Sequence, residues 1–430
     1  METEMNRIAE IARKHGKVQT LVHHINVENL REQHKQMKSG KATGVDRVTK
    51  EEYELNLEEN LANLVDKMKR QAYKPQEVRR IYIPKDGSKE KRGLGIPAYE
   101  DKLVQGVMAK ILTAIYEEKF VDVSYGFRPK KSCHDALKKL GRVIEKKKVN
   151  YIVDMDIKGF FDNVDHEWMI KFLENDIEDK NFIRIIKRFL KAGILEDGKH
   201  IETDQGTPQG GVISPILANV YLHYVLDLWF EKKIKKQNKG ECQMVRYADD
   251  FVCCFRYLEE AELFYFQLKE RLRKFGLEVA ENKSKILEFG RFAESNREKR
   301  GEGKPGTFDF LGFTHYCSKN KQGWFRVKRK TSRKKQKTKI AKMKIWIRER
   351  MHKPLNETIK ILNRKLIGHY NYYGITDNSK SINAFYYLTV KQLYKTLKRR
   401  TQKHKMNWDK YNKILEYMPI TKPRIKVNVY

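Results

Sequence analysis

The sequence predicts an α+β fold, on three observations. The stretch QMVRYADDFVCCF places two carboxylates between apolar runs, Met244 and Val245 before them and Phe251 to Phe255 after. It reads as a hairpin: one buried strand, an acidic tip at Tyr247-Ala248-Asp249-Asp250, and a second buried strand. The stretch NYIVDMDIKGFFDNVDH opens as an apolar strand and ends in a turn or a helix start. Toward both ends of the chain the spacing turns helical, with Leu57, Leu61, Leu64, Val65 and Met68 on one face early on and Leu355, Ile359, Leu362, Leu366 and Tyr370 on another late.

In order, residues 1–75 predict helices. LREQHKQMKSG stops at a glycine, and Thr49 with Glu52 three residues on forms a candidate cap. VRRIYIPK and RGLGIP predict strands about the turn DGSKEK, a basic hairpin carrying Lys85, Lys91 and Arg92. Such a hairpin suits a triphosphate or a nucleic-acid backbone, and equally a solvated charged turn. Residues 101–148 predict helix, loop, helix. In the loop SYGFRPKKSCHDAL, Ser132 is a candidate cap, and Tyr125, Phe127 and Arg128 fit either a nucleic-acid grip or core aromatics beside a solvated arginine. Residues 167–200 predict helix. A Gly/Pro-rich loop follows, in which Gly206, Gly210 and Gly211 allow close backbone approach, and then an amphipathic helix from Ser214. A helix and a strand are predicted over 258–289. GRFAESNREKRGEGKPG reads as a charged loop, and TFDFLGFTHYC as a strand with a bulge or close approach at Gly312.

Lys and Arg number 90 against 56 Asp and Glu, a net charge of +34. An excess of this size points to a polyanion, nucleic acid before anionic membrane. No apolar run approaches the ~18 residues of a spanning helix. The segment METEMNRIAEIARKHGK lacks an apolar signal core, so a cytoplasmic site of action is expected. The five cysteines form no C-x-x-C pair, which argues against a zinc site or a disulfide framework. The intensely basic run from Gly323 to Lys353, followed by helices interleaving Tyr with Lys and Arg, suits phosphate contact and base stacking, or a bundle with a solvated basic face.

Two adjacent aspartates at an apolar hairpin tip repel each other unless they share a hard cation, and Mg²⁺ beside phosphate oxygens is the usual arrangement. A solvated turn that happens to read Asp-Asp explains those four residues as well. The second stretch tips the balance. Asp154 and Asp156 point to one face of a strand, with Asp162 and Asp165 beyond. A strand delivering one carboxylate and a hairpin delivering two more is what two-metal phosphoryl transfer requires.

Together the stretches GVDRVT, IYIPKDG…RGLGIP, SYGFRP, DMDIKGFFDNVDH, GTPQGGVISPILANVYL, RYADD and DFLGF resemble the bacterial group II intron reverse transcriptases, or maturases, in order and over nearly the whole chain. The resemblance implies a right-hand polymerase, with an N-terminal extension over 1–75, fingers and palm built on antiparallel sheet over 76–315, and an all-helical thumb or maturase domain over 316–430. It implies RNA-templated DNA synthesis with two Mg²⁺, for which Mn²⁺ can substitute, held by Asp156, Asp249, Asp250 and the Ile157 backbone. Lys85, Arg92, Phe161, Gln209 and Lys283 are implied around the dNTP, with Phe161 against the sugar 2′ position and Lys283 as a general acid. Phe310, Leu311 and Gly312 match the primer grip. Tyr125, Arg128, Lys328, Arg329, Lys330, Arg333 and Lys334 are the expected nucleic-acid contacts.

The implied partners are the intron RNA, an RNA template, a DNA primer or target and dNTPs, without a membrane; some family members are dimers, which admits a homodimer. Nothing after residue 323 resembles a Cys/His metal endonuclease, so a form without that domain is expected. Two alternatives remain in the sequence: a splicing-only RNA-binding maturase, and a reverse transcriptase without an intron that works in DNA repair or phage defence.

Overall fold

The computed structural model describes residues 2–84, 91–196, 199–202, 205–207, 210–400 and 406–430. Strands β1 (Val78–Pro84), β2 (Lys91–Ile96), β3 (Tyr151–Met155), β4 (Ile194–Glu196), β5 (Lys199–Ile201), β6 (Cys242–Tyr247), β7 (Asp250–Phe255), β8 (Lys285–Glu288), β9 (Phe308–Phe310), β10 (Phe313–Lys319) and β11 (Phe325–Thr331) build three sheets. Their orders are β2-β1-β4-β5, β6-β7-β3-β8 and β11-β10-β9. The mixed helix-and-sheet class expected from the sequence is what forms.

The chain divides into two compact units. The described residues of the first are 2–84, 91–132, 153–196, 199–202, 205–207 and 210–286; those of the second are 133–152, 287–400 and 406–430. The division passes through β3 and β8.

In the first unit the helix Tyr99–Glu117 is the central pillar. Leu103, Val104, Val107, Met108, Ile111, Leu112 and Ile115 are all buried, so it is apolar on more than one face. The helices Glu2–His15 and Val27–Gln36 pack against it. The expected cap at Thr49 is a full capping box with Glu52. β1 and β2 pair antiparallel, with Ile83 opposite Arg92. The residues between them, including Lys85, lie outside the described residues, as does Gln209. The helical reading of 167–200 ends at Leu190, because β4 and β5 occupy the remainder, β4 pairing with β1. The helix that starts at Ser214 widens into π-helical turns at His223–Asp227 and Phe230–Ile234.

In the second unit the helix Cys133–Lys146 packs on β11. The helices Arg333–Glu349, Leu355–Tyr373 and Ser379–Lys398 follow the sheet. An all-helical segment from residue 316 is therefore corrected: β10 runs to Lys319 and β11 from Phe325 to Thr331, and the helices begin at Arg333. The charged stretch read as loop contains a helix, Ala293–Lys299. Arg300, just past its end, pairs with Glu288 and Glu302, so the charges are internally matched. Gly312 forms no bulge, but the close approach is there: a Cβ on it would lie 3.2 Å from Tyr373 Oη. Phe310 pairs with Phe313, leaving Leu311 (φ 50°) and Gly312 (φ 77°) as a two-residue turn of the doubly left-handed kind that hairpins favour.

The five cysteines are free, and Cys242, Cys253 and Cys254 are core residues. Among the described residues no helix is long and apolar enough to cross a membrane.

Candidate active site

The acidic pair sits at the tip of the β6–β7 hairpin. Tyr247 pairs with Asp250, so the loop is only Ala248 and Asp249. A two-residue loop follows the strand twist when its first residue, or both, adopt positive φ. Here Ala248 does, at 57°, which strains a residue bearing a Cβ. The surroundings hold it there. Tyr125 N–H donates to the Arg246 carbonyl at 2.9 Å, and Arg246 N–H donates to the Val123 carbonyl at 2.7 Å. The segment 123–125 thus lines the free edge of β6. A Cβ on Gly126 would lie 2.4 Å from the Ala248 nitrogen, so only glycine lets the tip backbone lie on this segment.

Arg246 fixes the turn from beneath. It has no exposed surface. Its Nε donates to Asp227 Oδ1 at 2.7 Å, and its Nη2 donates to the second oxygen of the same carboxylate. Its Nη1 donates to the Ala248 carbonyl at 2.8 Å and to Asn219 Oδ1 at 3.1 Å. Asn219 Nδ2 in turn donates to the Gly126 carbonyl at 2.7 Å. Asp227 closes the first π-helical turn, and a wider turn of this kind commonly marks a functional element. The sequence reading passed over Arg246, Asp227, Asn219 and Gly126. A signal for Arg246 was present: a cation inside an otherwise apolar strand needs a buried partner.

β3 lies beside β7 in the same sheet and ends one residue before Asp156. Ala280 N–H donates to the Asp156 carbonyl at 2.8 Å, and Lys158 N–H donates to the Glu278 carbonyl at 2.9 Å. These two bonds flank the Ile157–Val279 bridge, so the N–H and carbonyl of Ile157 face away from residue 279. Lys283 Nζ forms an ion pair with Asp156 Oδ2 at 2.8 Å.

Burial raises the Asp249 carboxyl above its ordinary range, and the negative charge of Asp156 adds to the rise. The Asp249 backbone N–H and the cations Arg92 and Arg246 pull the other way. Asp156, Asp249 and Arg92 thus share one electrostatic neighbourhood. Among the described residues no three His, Cys, Asp or Glu side chains converge into a metal cage. The donor chemistry still suits a hard divalent cation: two electrostatically coupled, half-buried carboxylates, with Asp250 next in the chain.

The remaining candidates divide. Phe161 is half-buried, edge-on to the buried Phe160 at 5.2 Å, and its carbonyl accepts from Thr207 N–H at 2.7 Å. The glycine-rich loop uses its glycines for contact with the protein's own backbone: a Cβ on Gly206 would meet the Phe161 carbonyl oxygen at 3.0 Å, and one on Gly210 the Gly95 carbonyl oxygen at 2.6 Å. That second approach joins the loop to β2, the strand of Arg92. Asp162 is exposed, and Asp165 caps the helix His166–Asp176 through Trp168 N–H.

Three nucleic-acid candidates are corrected by burial. Arg128 is held by Glu117 and by the carbonyls of Val121 and Ser124, and Tyr125 is buried beside it. The exposed aromatic of that loop is Phe127, at 54%. Arg329 has no exposed surface and donates to the Leu137 carbonyl at 3.1 Å. Lys330, Arg333 and Lys334 are exposed, and Lys328 is half-exposed. Of the grip residues, Phe310 is core, which leaves the turn Leu311-Gly312; Tyr372 Oη donates to the Leu311 carbonyl at 2.9 Å.

Two family descriptions and several relatives match the chain. Residues 83–315 match the family described as Reverse transcriptase (RNA-dependent DNA polymerase). Residues 333–414 match the Group II intron, maturase-specific domain. The chain is similar to the group II intron-encoded protein LtrA of Lactococcus lactis subsp. cremoris, 33% identical over 420 residues that cover 81% of this chain and 68% of the relative. It is also similar to Protein YkfC of Escherichia coli (strain K12), 32% identical over 243 residues, 50% of this chain and 64% of that protein. An uncharacterized 91 kDa protein in the cob intron of Schizosaccharomyces pombe is 41% identical over 162 residues, 38% of this chain and 20% of that protein. A reverse transcriptase domain implies a divalent metal cofactor, and the two domains together imply intron RNA and nucleic-acid substrates. The chain belongs to the group II intron-encoded reverse transcriptases that carry a maturase domain.

Proposed function

We propose that Asp156, Asp249 and Asp250 are the catalytic carboxylates of an RNA-templated DNA polymerase, and that the same chain binds its intron RNA to promote splicing and mobility. The observation that carries the proposal is the electrostatic coupling of Asp249 to Asp156 at a hairpin tip held by buried hydrogen bonds, in a chain of net charge +34. The three carboxylates and the Ile157 carbonyl would hold two Mg²⁺, with Mn²⁺ able to substitute. When bound, such ions stabilise the charge developing on the attacking 3′-oxygen and on the departing pyrophosphate.

The chain's own groups position and discriminate. Arg92, with Lys85 and Gln209, orients the dNTP triphosphate. Phe161 lies against the sugar and excludes a 2′-hydroxyl. Lys283 carries a proton at Nζ for the leaving pyrophosphate, and the turn Leu311-Gly312 supports the primer. In this reading residues 1–75 are a template-clamping extension, 76–315 fingers and palm, and 316–430 the thumb and maturase domain.

The test is primer extension on an RNA template with dNTPs or rNTPs. Wild type is expected to extend with dNTPs only, Phe161→Ala to admit rNTPs, and Asp156→Asn to extend with neither. Extension by Asp156→Asn at the wild-type rate would overturn the assignment.

A further inference from the structure

The hairpin β10–β11 ends in a tip that no role described so far uses. Cross-strand pairing runs to Lys319 and Phe325, and the tip is Asn320 to Trp324. Its backbone is closed by Asn320 N–H to the Trp324 carbonyl at 2.8 Å and by Gly323 N–H to the Asn320 carbonyl at 3.1 Å. The Asn320 carboxamide oxygen accepts from Gln322 N–H and from Trp324 N–H, both at 2.9 Å. Gly323 takes φ 85°, as a three-residue hairpin loop requires. The tip is thus a fixed mount, and what it carries is Trp324, 72% exposed.

From Arg326 onward β11 alternates: Val327, Arg329 and Thr331 are buried, while Arg326, Lys328 and Lys330 on the other face are half to fully exposed, and Trp324, just before the strand, continues their two-residue register. Successive side chains on that face stand about 6.6 Å apart, a spacing of the same order as that of consecutive phosphates along a strand. The distance from Trp324 to Lys330 is about 20 Å, enough for a few nucleotides. Arg326 is already engaged: Glu145 lies 3.7 Å away and the Tyr430 ring 3.8 Å. Lys328 and Lys330 are the cations better placed for a backbone.

We propose that Trp324 is a stacking platform for an unpaired base of a bound RNA strand, with Lys328 and Lys330 following its phosphates. This deepens the RNA-binding reading of the basic segment and rests on it. An apolar protein partner fits less well, because the neighbours of Trp324 on this face are Arg and Lys. Single-strand binding by aromatic platforms beside cationic tracks has this composition.

The experiment measures affinity of the full chain for two labelled probes, a short oligoadenylate RNA and a blunt-ended RNA duplex, across a salt series. Trp324→Ala is expected to bind the single strand roughly tenfold more weakly, with the duplex affinity, the salt slope and the thermal midpoint unchanged. Trp324→Phe, which keeps a ring, is expected to recover most of the loss. Unchanged single-strand binding by Trp324→Ala, or an equal loss on both probes, would overturn the platform. Failure of the wild-type chain to bind either probe would remove the RNA-binding reading itself, and the platform with it.

Discussion

Among the described residues two arginines have no exposed surface, one in each unit, and they are held in opposite ways. Arg246, under the acidic hairpin, meets the Asp227 carboxylate with two donors and the Asn219 and Ala248 oxygens with a third. Arg329, on β11, is hydrogen-bonded only by carbonyls, those of Leu137 at 3.1 Å and Val327 at 3.5 Å, with the Tyr430 ring 5.7 Å from its guanidinium carbon, while its Nε is buried without a hydrogen-bond partner. Burial pushes the Arg329 guanidinium down to about 10, partly opposed by the charge of Glu145. A guanidinium matched by a carboxylate fixes neighbouring backbone. An unmatched one costs free energy and fixes little. The hairpin that must present Asp249 and Asp250 has the matched arrangement.

The largest effect is expected from breaking the matched pair. Asp227→Ala leaves Arg246 buried and unpaired, which costs about 3–5 kcal/mol and frees the Ala248 turn. A large drop in the urea midpoint together with lost primer extension is the expected outcome. A midpoint equal to wild type would show that the pair does not hold the hairpin.

A third buried charge sharpens the contrast. Asp101 accepts from Tyr73 Oη and from Gln76 N–H but pairs with no cation in these bonds. Burial pushes its carboxyl up to about 6 from 3.8. Because the folded value lies above the unfolded one, this group's contribution is most favourable below pH 4 and worsens as pH rises to 6 and beyond. The full difference is on the order of 3 kcal/mol. Asp101→Asn is expected to gain stability relative to wild type as pH rises from 4 to 7, read as a widening gap between urea midpoints. A gap that stays constant with pH would contradict this.

The smallest effect is expected at the unmatched arginine. Arg329→Met removes a buried charge that has no bonded carboxylate, so it is expected to be neutral or stabilising by up to about 2 kcal/mol. A loss comparable to that of Asp227→Ala would erase the distinction between the two sites.

The same two regions differ in how much of them could be read from sequence. The β6–β7 hairpin was legible because, Arg246 apart, its strands are largely apolar and the carboxylates fall at the tip. The capping box at Thr49 was legible because its two partners lie three residues apart. β11 was not, because its exposed face supplies Arg326, Lys328 and Lys330, and its buried face itself contains Arg329. Charge counting therefore read the segment as a basic tract. Arg128 misled in the same way, since its partner Glu117 lies eleven residues upstream on another element. The frame of Arg246, Asp227, Asn219 and Gly126 joins three segments, and no local pattern announces it. Asp156, Asp249 and Arg92 were named from motif and resemblance; their shared electrostatic neighbourhood required the fold.

The most direct test of the catalytic assignment is single-turnover primer extension on an RNA template with dNTPs and Mg²⁺, comparing wild type with Asp249→Asn/Asp250→Asn and measuring template-primer affinity in the same preparations. The account predicts that the variant binds template-primer as wild type does and does not extend it. Extension by the variant at the wild-type rate would contradict it.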